Sequence, residues 1–185
     1  MSLTPSSMMP LGTIAPKFSL FDPVAGKTRS LDEIKGAKGV LVMFICNHCP
    51  FVIHIEKALA GLGREYENRD INLVAISAND IVTHPQDAPD KMVQKATQLG
   101  YRFPYLYDES QDTAKAYQAA CTPDLFLFDS NLRCVYRGRF DASTPGNQIP
   151  VTGSDIKAAL HNLENDLPIS AEQFPSMGCN IKWKS

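Results

Sequence analysis

Seven consecutive residues without a charged or hydrogen-bonding side chain, Gly39-Val40-Leu41-Val42-Met43-Phe44-Ile45, run directly into Cys46-Asn47-His48-Cys49-Pro50. An unbroken apolar run of this length reads as a strand buried on both faces. The pattern then changes period. Val52, Ile55, Leu59, Leu62 and Tyr66 recur at helical spacing as one apolar stripe, with Glu56, Lys57, Arg64 and Glu65 mostly off it. The junction of a buried strand and a helix N-terminus therefore carries two thiols. Three residues apart on a helix, their side chains lie on one face about 5 to 6 Å apart, close to what a disulfide requires. A reversible dithiol/disulfide couple is sterically available.

The unpaired N–H groups and the positive dipole end of that helix favour an anion, so the expectation is that Cys46 is the low-pKa, attacking thiol and Cys49, one turn inside, resolves. One helix terminus supplies roughly 0.3 to 1 kcal/mol, against about 2 kcal/mol for moving a thiol from a pKa of about 8.5 to about 7. His48 is the expected helper: as a cation it stabilises the Cys46 thiolate and makes the disulfide a better oxidant. The plainer reading is a loop histidine in solvent.

Strands and helices alternate along the rest of the chain. Residues 17–21 and 27–31 flank the turn-rich Asp22-Pro23-Val24-Ala25-Gly26 as a hairpin, and 71–77 repeat the buried-strand pattern. Residues 87–99 begin with Asp87 as a capping candidate and Pro89, and space Met92, Ala96 and Leu99 as a helix does. A short strand at 103–107, a short helix near 110–120, a hairpin around Asp129-Ser130-Asn131 and a last helix introduced by Thr152 and Asp155 follow. The chain reads as one α/β domain over 1–185, with its core at about 12–166 and a tail over 167–185 that lacks periodicity and is expected to be irregular, with Trp183 anchoring it.

Composition limits the partners. A net charge of -2 and a pI near 6.1 give no reason to expect nucleic acid or an anionic membrane. Residues 1–10 have neither a basic nor an apolar leader pattern, and no apolar run is long enough to span a bilayer, so a cytoplasmic location is expected. Five cysteines at irregular spacing are no disulfide framework, and in a reducing compartment a C-x-x-C is catalytic or metal-binding.

Ala15-Pro16-Lys17-Phe18-Ser19-Leu20, the downstream Gly26-Lys27, the strand ending in Cys46-Asn47-His48-Cys49-Pro50, and Cys121-Thr122-Pro123 before an apolar strand together resemble the thioredoxin-like superfamily. Within it, the chain is similar to the alkyl hydroperoxide reductase/thiol-specific antioxidant branch over roughly residues 12–163. Ser176-Met177-Gly178-Cys179-Asn180-Ile181-Lys182-Trp183 also resembles the tail of bacterial thioredoxin-family proteins of this branch. The resemblance implies a central mixed sheet flanked by helices, with the dithiol at its edge. It also implies a cis bond at Thr122-Pro123 beside the dithiol, which makes Pro123 a site residue. Three departures bear on activity. Peroxiredoxins place a Pro seven residues and a Thr or Ser three residues before the peroxidatic Cys, where this chain has Gly39 and Met43. Thioredoxins have a Trp before the first Cys and Gly-Pro between the pair, where this chain has Ile45 and Asn47-His48. Thioredoxins also keep a buried acid shortly before the motif; Val40 and its neighbours offer none, and Asp80 is a distant candidate whose ordinary reading is a cap or loop residue.

Of the other cysteines, Cys121 reads either as a third redox thiol or as an inert packed one, Cys134 as a small buried hydrophobe, and Cys179 either as a second resolving or regulatory thiol or, the more ordinary reading, as a tail thiol with no redox role. His54, His84 and His161 need only solvent-facing or loop roles, and Arg137 and Arg139 a solvated face. The favoured function is a thiol-disulfide oxidoreductase that exchanges with protein or small-molecule disulfides and a thiol electron donor, with no cofactor beyond its own disulfide. A peroxidase-like antioxidant with Cys46 as peroxidatic thiol is the alternative. Zinc binding would have to complete Cys46 and Cys49 with Cys121 and Cys179 and is the weakest reading.

Overall fold

The computed structural model describes residues 3–185. In chain order the elements are β1 (Leu3–Pro5), β2 (Ser19–Asp22), β3 (Lys27–Ser30), α1 (Leu31–Ile34), β4 (Gly39–Phe44), α2 (Pro50–Tyr66), β5 (Ile71–Ser77), α3 (Pro89–Leu99), β6 (Tyr105–Tyr107), α4 (Asp112–Ala116), β7 (Cys121–Thr122), β8 (Asp124–Asp129), β9 (Cys134–Gly138), α5 (Ser154–Glu164) and β10 (Met177–Asn180). A seven-stranded sheet has the order β3-β2-β6-β5-β4-β8-β9, and a small sheet has the order β1-β10-β7. β4 pairs in parallel with β5 and antiparallel with β8, so the large sheet is mixed.

Every residue of β4 is buried, because it is central and covered on both faces. Leu41, Met43 and Ile45 point to one side, onto the apolar stripe of α2 and onto Ile156, Ala159 and Leu160 of α5. Val40, Val42 and Phe44 point to the other side, onto Leu31 and Ile34 of α1 and onto Ala114 and Tyr117. There Phe44, Tyr117 and Phe126 meet at ring-centroid separations of 5.5 to 5.9 Å, a geometry worth about 0.5 to 1.5 kcal/mol per pair beyond area burial. The expected stripe of α2, Val52 to Tyr66, is buried along its length. Among the described residues no helix is long and apolar enough to cross a membrane.

Two positions that depart from the peroxiredoxin pattern now have a physical reason. Gly39 lies inside β4 against the Phe128 carbonyl, where a Cβ would collide, so the central strand excludes a larger residue. Met43 is fully buried in the core, where a hydroxyl would lack solvent.

The tail departs from its expected irregularity at one place. Residues 165–176 and 181–185 are irregular, but Met177–Asn180 is a strand that ties the two chain ends together, pairing with β1 on one side and β7 on the other. Its pairing is through backbone, which leaves no apolar periodicity to read. Ile181, fully buried, is the tail's anchor rather than Trp183, which is 42% exposed. Hydrogen bonds from Asp80 N–H to Lys182 O and from Lys182 N–H to the Asn79 side-chain Oδ1, each 2.8 Å, fasten it further.

Candidate active site

Because β4 and β5 run parallel, the loops that follow them, 45–49 and 78–88, leave the sheet at the same edge, where the carboxyl ends of strands place ligand sites. The 45–49 loop is pinned there by Asn47. Its N–H donates to Asp87 Oδ1 at 2.8 Å, its Nδ2 to Gln86 O at 2.9 Å, and its Oδ1 accepts from the Tyr105 hydroxyl at 3.1 Å. β7 closes the site from the other side. Cys46 Sγ lies 3.5 Å from Thr122 Oγ1, and the Cys49 thiol donates to Thr122 O at 3.2 Å. The Thr122–Pro123 bond is cis, so the chain turns into β8 immediately beside both sulfurs.

Asp87 is the residue the sequence reading missed. It is fully buried and does not cap α3, whose N-cap is Ala88. Instead its carboxylate faces the thiols: Oδ2 accepts from Asn79 Nδ2 at 2.8 Å and pairs with His48 Nδ1 at 2.7 Å. The same His48 nitrogen is 3.8 Å from Cys46 Sγ, and the ring stacks on His84 with centroids 5.0 Å apart. Burial alone would raise the Asp87 carboxyl, but the donors of His48, Asn79 and Asn47 outweigh it and hold the group below the usual carboxylate range. Asp80 has the cap role that was its ordinary reading, accepting from Val82 N–H at 3.1 Å and from the Thr83 hydroxyl at 2.8 Å.

The thiols share charge unequally. Cys46 and Cys49 are 2% and 0% exposed. The first turn of α2 begins at Pro50 with Cys49 as N-cap, so the helix terminus acts on Cys49, where the expectation had placed it on Cys46. Interaction with the Cys46 thiol, then with the Cys179 thiol and the N–H groups of Val52 and Cys179, pulls Cys49 well below the ordinary thiol value despite its burial. Cys46 moves the opposite way. Its interaction with Cys49, its burial and the nearby Asp87 carboxylate push it up, and the Thr122 hydroxyl offsets this only in part.

The remaining candidates separate cleanly. Cys179 stands opposite Thr122 in the β10–β7 pair and joins the dithiol. Cys121 points its thiol at Pro123 O, 3.6 Å away, and burial drives its pKa far up, the condition of an inert packed thiol. Cys134 is buried in the second core, as expected. His54 pairs with Ser143 Oγ at 2.6 Å. Arg137 and Arg139 hold the tail and a helix rather than facing solvent: Arg137 bonds Gln173 Oε1 at 2.7 Å, and Arg139 bonds Asp155 Oδ2 at 2.6 Å with Phe174 beneath it.

A ligand atom from each of Cys46, His48 and Asp87 falls within 4.8 Å of the others. At 2.7 Å, the His48–Asp87 pair has hydrogen-bond length, whereas ligands of a tetrahedral zinc at about 2.0 to 2.2 Å stand roughly 3.3 Å apart. As built, this cluster holds and orients protons.

The model of the AhpC/TSA family matches residues 11–137. A crystal structure of an uncharacterized conserved protein from Geobacillus kaustophilus superposes with a TM-score of 0.97 at 49% identity, covering 100% of this chain and 97% of that one. The thioredoxin domain of a thiol-disulfide oxidoreductase from Bacteroides vulgatus shares the fold, with a TM-score of 0.65 at 18% identity over 85% of this chain and 99% of that one. Among curated proteins, a 1-Cys peroxiredoxin of Zea mays is 27% identical over 112 residues, 57% of this chain and 48% of the relative, so the chain spans about half the length of that relative. With its thioredoxin-like fold and a dithiol at the carboxyl edge of the sheet, the chain belongs to the AhpC/TSA family.

Proposed function

We propose that the protein is a thiol-disulfide oxidoreductase working through Cys46 and Cys49, with protein or small-molecule disulfides as substrates and a thiol as electron donor. The observation that carries this reading is the convergence of both sulfurs on Thr122, at 3.5 and 3.2 Å, at the start of α2. Cys46 attacks the substrate disulfide, its proton passing to the adjacent Cys49 sulfur. A mixed disulfide forms at Cys46 and one substrate thiolate departs. Cys49 then attacks Cys46 Sγ as its proton passes to the departing substrate sulfur, closing the internal disulfide and releasing the second substrate thiol. His48, oriented by Asp87 and 3.8 Å from Cys46 Sγ, is placed to hand a proton to the departing thiolate. The donor reverses these steps, so no cofactor beyond the disulfide is required. A reducing cytoplasm suits five thiols with no framework spacing.

One observation favours a second reading, peroxide reduction at Cys46: Thr122 Oγ1 brings from β7 the hydroxyl that Met43 does not provide. Two measurements separate them, dithiothreitol-coupled reduction of insulin and stopped-flow oxidation by hydrogen peroxide, each in wild type, Cys46→Ser and Cys49→Ser. Disulfide turnover lost in both variants, with peroxide reacting little faster than with an ordinary thiolate, supports the oxidoreductase. Fast peroxide consumption that depends on Cys46, with negligible insulin reduction, moves the assignment to the peroxidase.

A further inference from the structure

Beyond the Cys46/Cys49 couple, the best-placed sulfur is that of Cys179. It stands on β10 directly opposite Thr122, whose carbonyl accepts the Cys49 thiol at 3.2 Å. Residues opposed in an antiparallel pair have Cβ atoms about 4.5 to 5.5 Å apart, so side chains on that face reach one another. Gly178 permits the approach, since a Cβ there would run into the Thr122 carbonyl. Cys179 is 5% exposed and lies in the same core cluster as Cys46 and Cys49. Its thiol and its N–H both interact with the Cys49 sulfur, which also receives the Cys46 thiol. Cys49 Sγ is thus the middle one of three sulfurs. Cys121 feels the charges of Cys49 and Cys179, but its thiol is turned to Pro123 O.

We infer that Cys179 is a third member of the redox centre, attacking Cys49 Sγ of the oxidised couple to form a Cys49–Cys179 disulfide and release Cys46. This rests on the oxidoreductase reading. One S–S bond forms and one breaks, Cys179 is oxidised as Cys46 is reduced, and the Cys179 proton passes to the Cys46 sulfur. No outside oxidant or reductant takes part. The product is an oxidised chain whose Cys46 is again a nucleophile for a second disulfide. The local electrostatics support the order of events. Burial, followed by the hydrogen bond with Cys49 and the charge on Cys49, pushes the Cys179 thiol up to about 12. Once the Cys49 sulfur is in a disulfide it carries no charge, and those last two effects vanish when Cys179 must ionise.

Disulfide mapping tests this on the full chain. Trypsin leaves Cys46 and Cys49 in peptide 39–57, Cys179 in 158–182 and Cys121 in 116–133. Wild type, Cys46→Ser and Cys46→Ala are oxidised with diamide, blocked and digested, and circular dichroism identifies the variants that retain the wild-type fold. The expected result is an internally closed 39–57 in wild type and 39–57 joined to 158–182 in both variants. The join should be lost when Cys179→Ser is added. The inference is overturned if Cys49 in a folded variant stays open to alkylation, or pairs with Cys121, while wild type closes Cys46–Cys49. Wild type without a Cys46–Cys49 bond would overturn the oxidoreductase reading itself, and this inference with it.

Discussion

Replacing Asp87 by Asn should make Cys46 easier to ionise. The carboxylate oxygen and Cys46 Sγ are no more than 4.8 Å apart, and Asp87 is fully buried. At that distance two unit charges interact by about 0.9 kcal/mol at the dielectric of water and about 3.5 kcal/mol at an effective value near 20. At 1.36 kcal/mol per pKa unit, loss of the charge should lower the Cys46 pKa by about 0.6 to 2.5 units. The cleanest background is Cys49→Ser, where Cys46 is the one thiol of peptide 39–57 and the mutual titration of the pair is absent. The assay is the rate of iodoacetamide alkylation of that peptide against pH, with and without Asp87→Asn. Asn can still accept from Asn47 N–H, but its amide meets the donors of Asn79 and His48, so about 1.5 to 3 kcal/mol of stability should be lost as well. An alkylation midpoint that stays put or rises in a folded variant would refute the assignment of Asp87 as the charge that controls Cys46.

His48→Ala should act in the opposite sense: Asp87 loses its 2.7 Å partner, its charge is less offset beside Cys46, and the alkylation midpoint in the same assay should rise. Gly178→Ala should push β10 off the Thr122 carbonyl, costing about 1 to 3 kcal/mol in urea unfolding and removing the Cys49–Cys179 disulfide from the mapping experiment; an unchanged midpoint and an intact join would refute that packing argument. Asp124 is fully buried with Ser6 Oγ at 2.7 Å, and burial lifts its carboxyl to about 7. A raised folded pKa means that the unfolded chain releases its proton first, so stability is lost as pH climbs from about 4 to about 7, by up to about 4 kcal/mol. Asp124→Asn should flatten that slope in denaturant titrations, and a variant with the wild-type slope would exclude the group.

The parts of this site that were legible in the sequence are those whose signal is local. Strand β4 could be read because a central strand has to be apolar on both faces, and the α2 stripe because one face of a helix has to be. The two thiols were legible at the end of a buried strand, but the one-turn spacing was not what joined them: Cys46 lies in the loop before α2 and only Cys49, the N-cap, meets the helix. Asp87 was not legible, because its role depends on a contact across about forty positions, to Asn47 and His48, and its immediate neighbourhood, Pro85-Gln86-Asp87-Ala88-Pro89, imitates a helix start. A topological signal was nonetheless available. Once 39–45 and 71–77 are read as neighbouring parallel strands, the loops after both must leave at one edge of the sheet. An acid in the second loop is then a candidate partner for the thiols in the first, which is a stronger reason to inspect Asp87 than its place before a helix. Cys179 lacked even that signal. β10 is held by backbone pairing and by the absence of a side chain at Gly178, so only the register Cys179↔Thr122 brings it to the dithiol. The same reasoning explains the direction of charge between Cys46 and Cys49. Helix α2 starts at Pro50 with Cys49 as its N-cap, so its first-turn N–H groups add to the Cys46 and Cys179 contacts that favour charge on the second thiol, while Cys49, burial and the Asp87 carboxylate push the first thiol up and Thr122 offsets them in part.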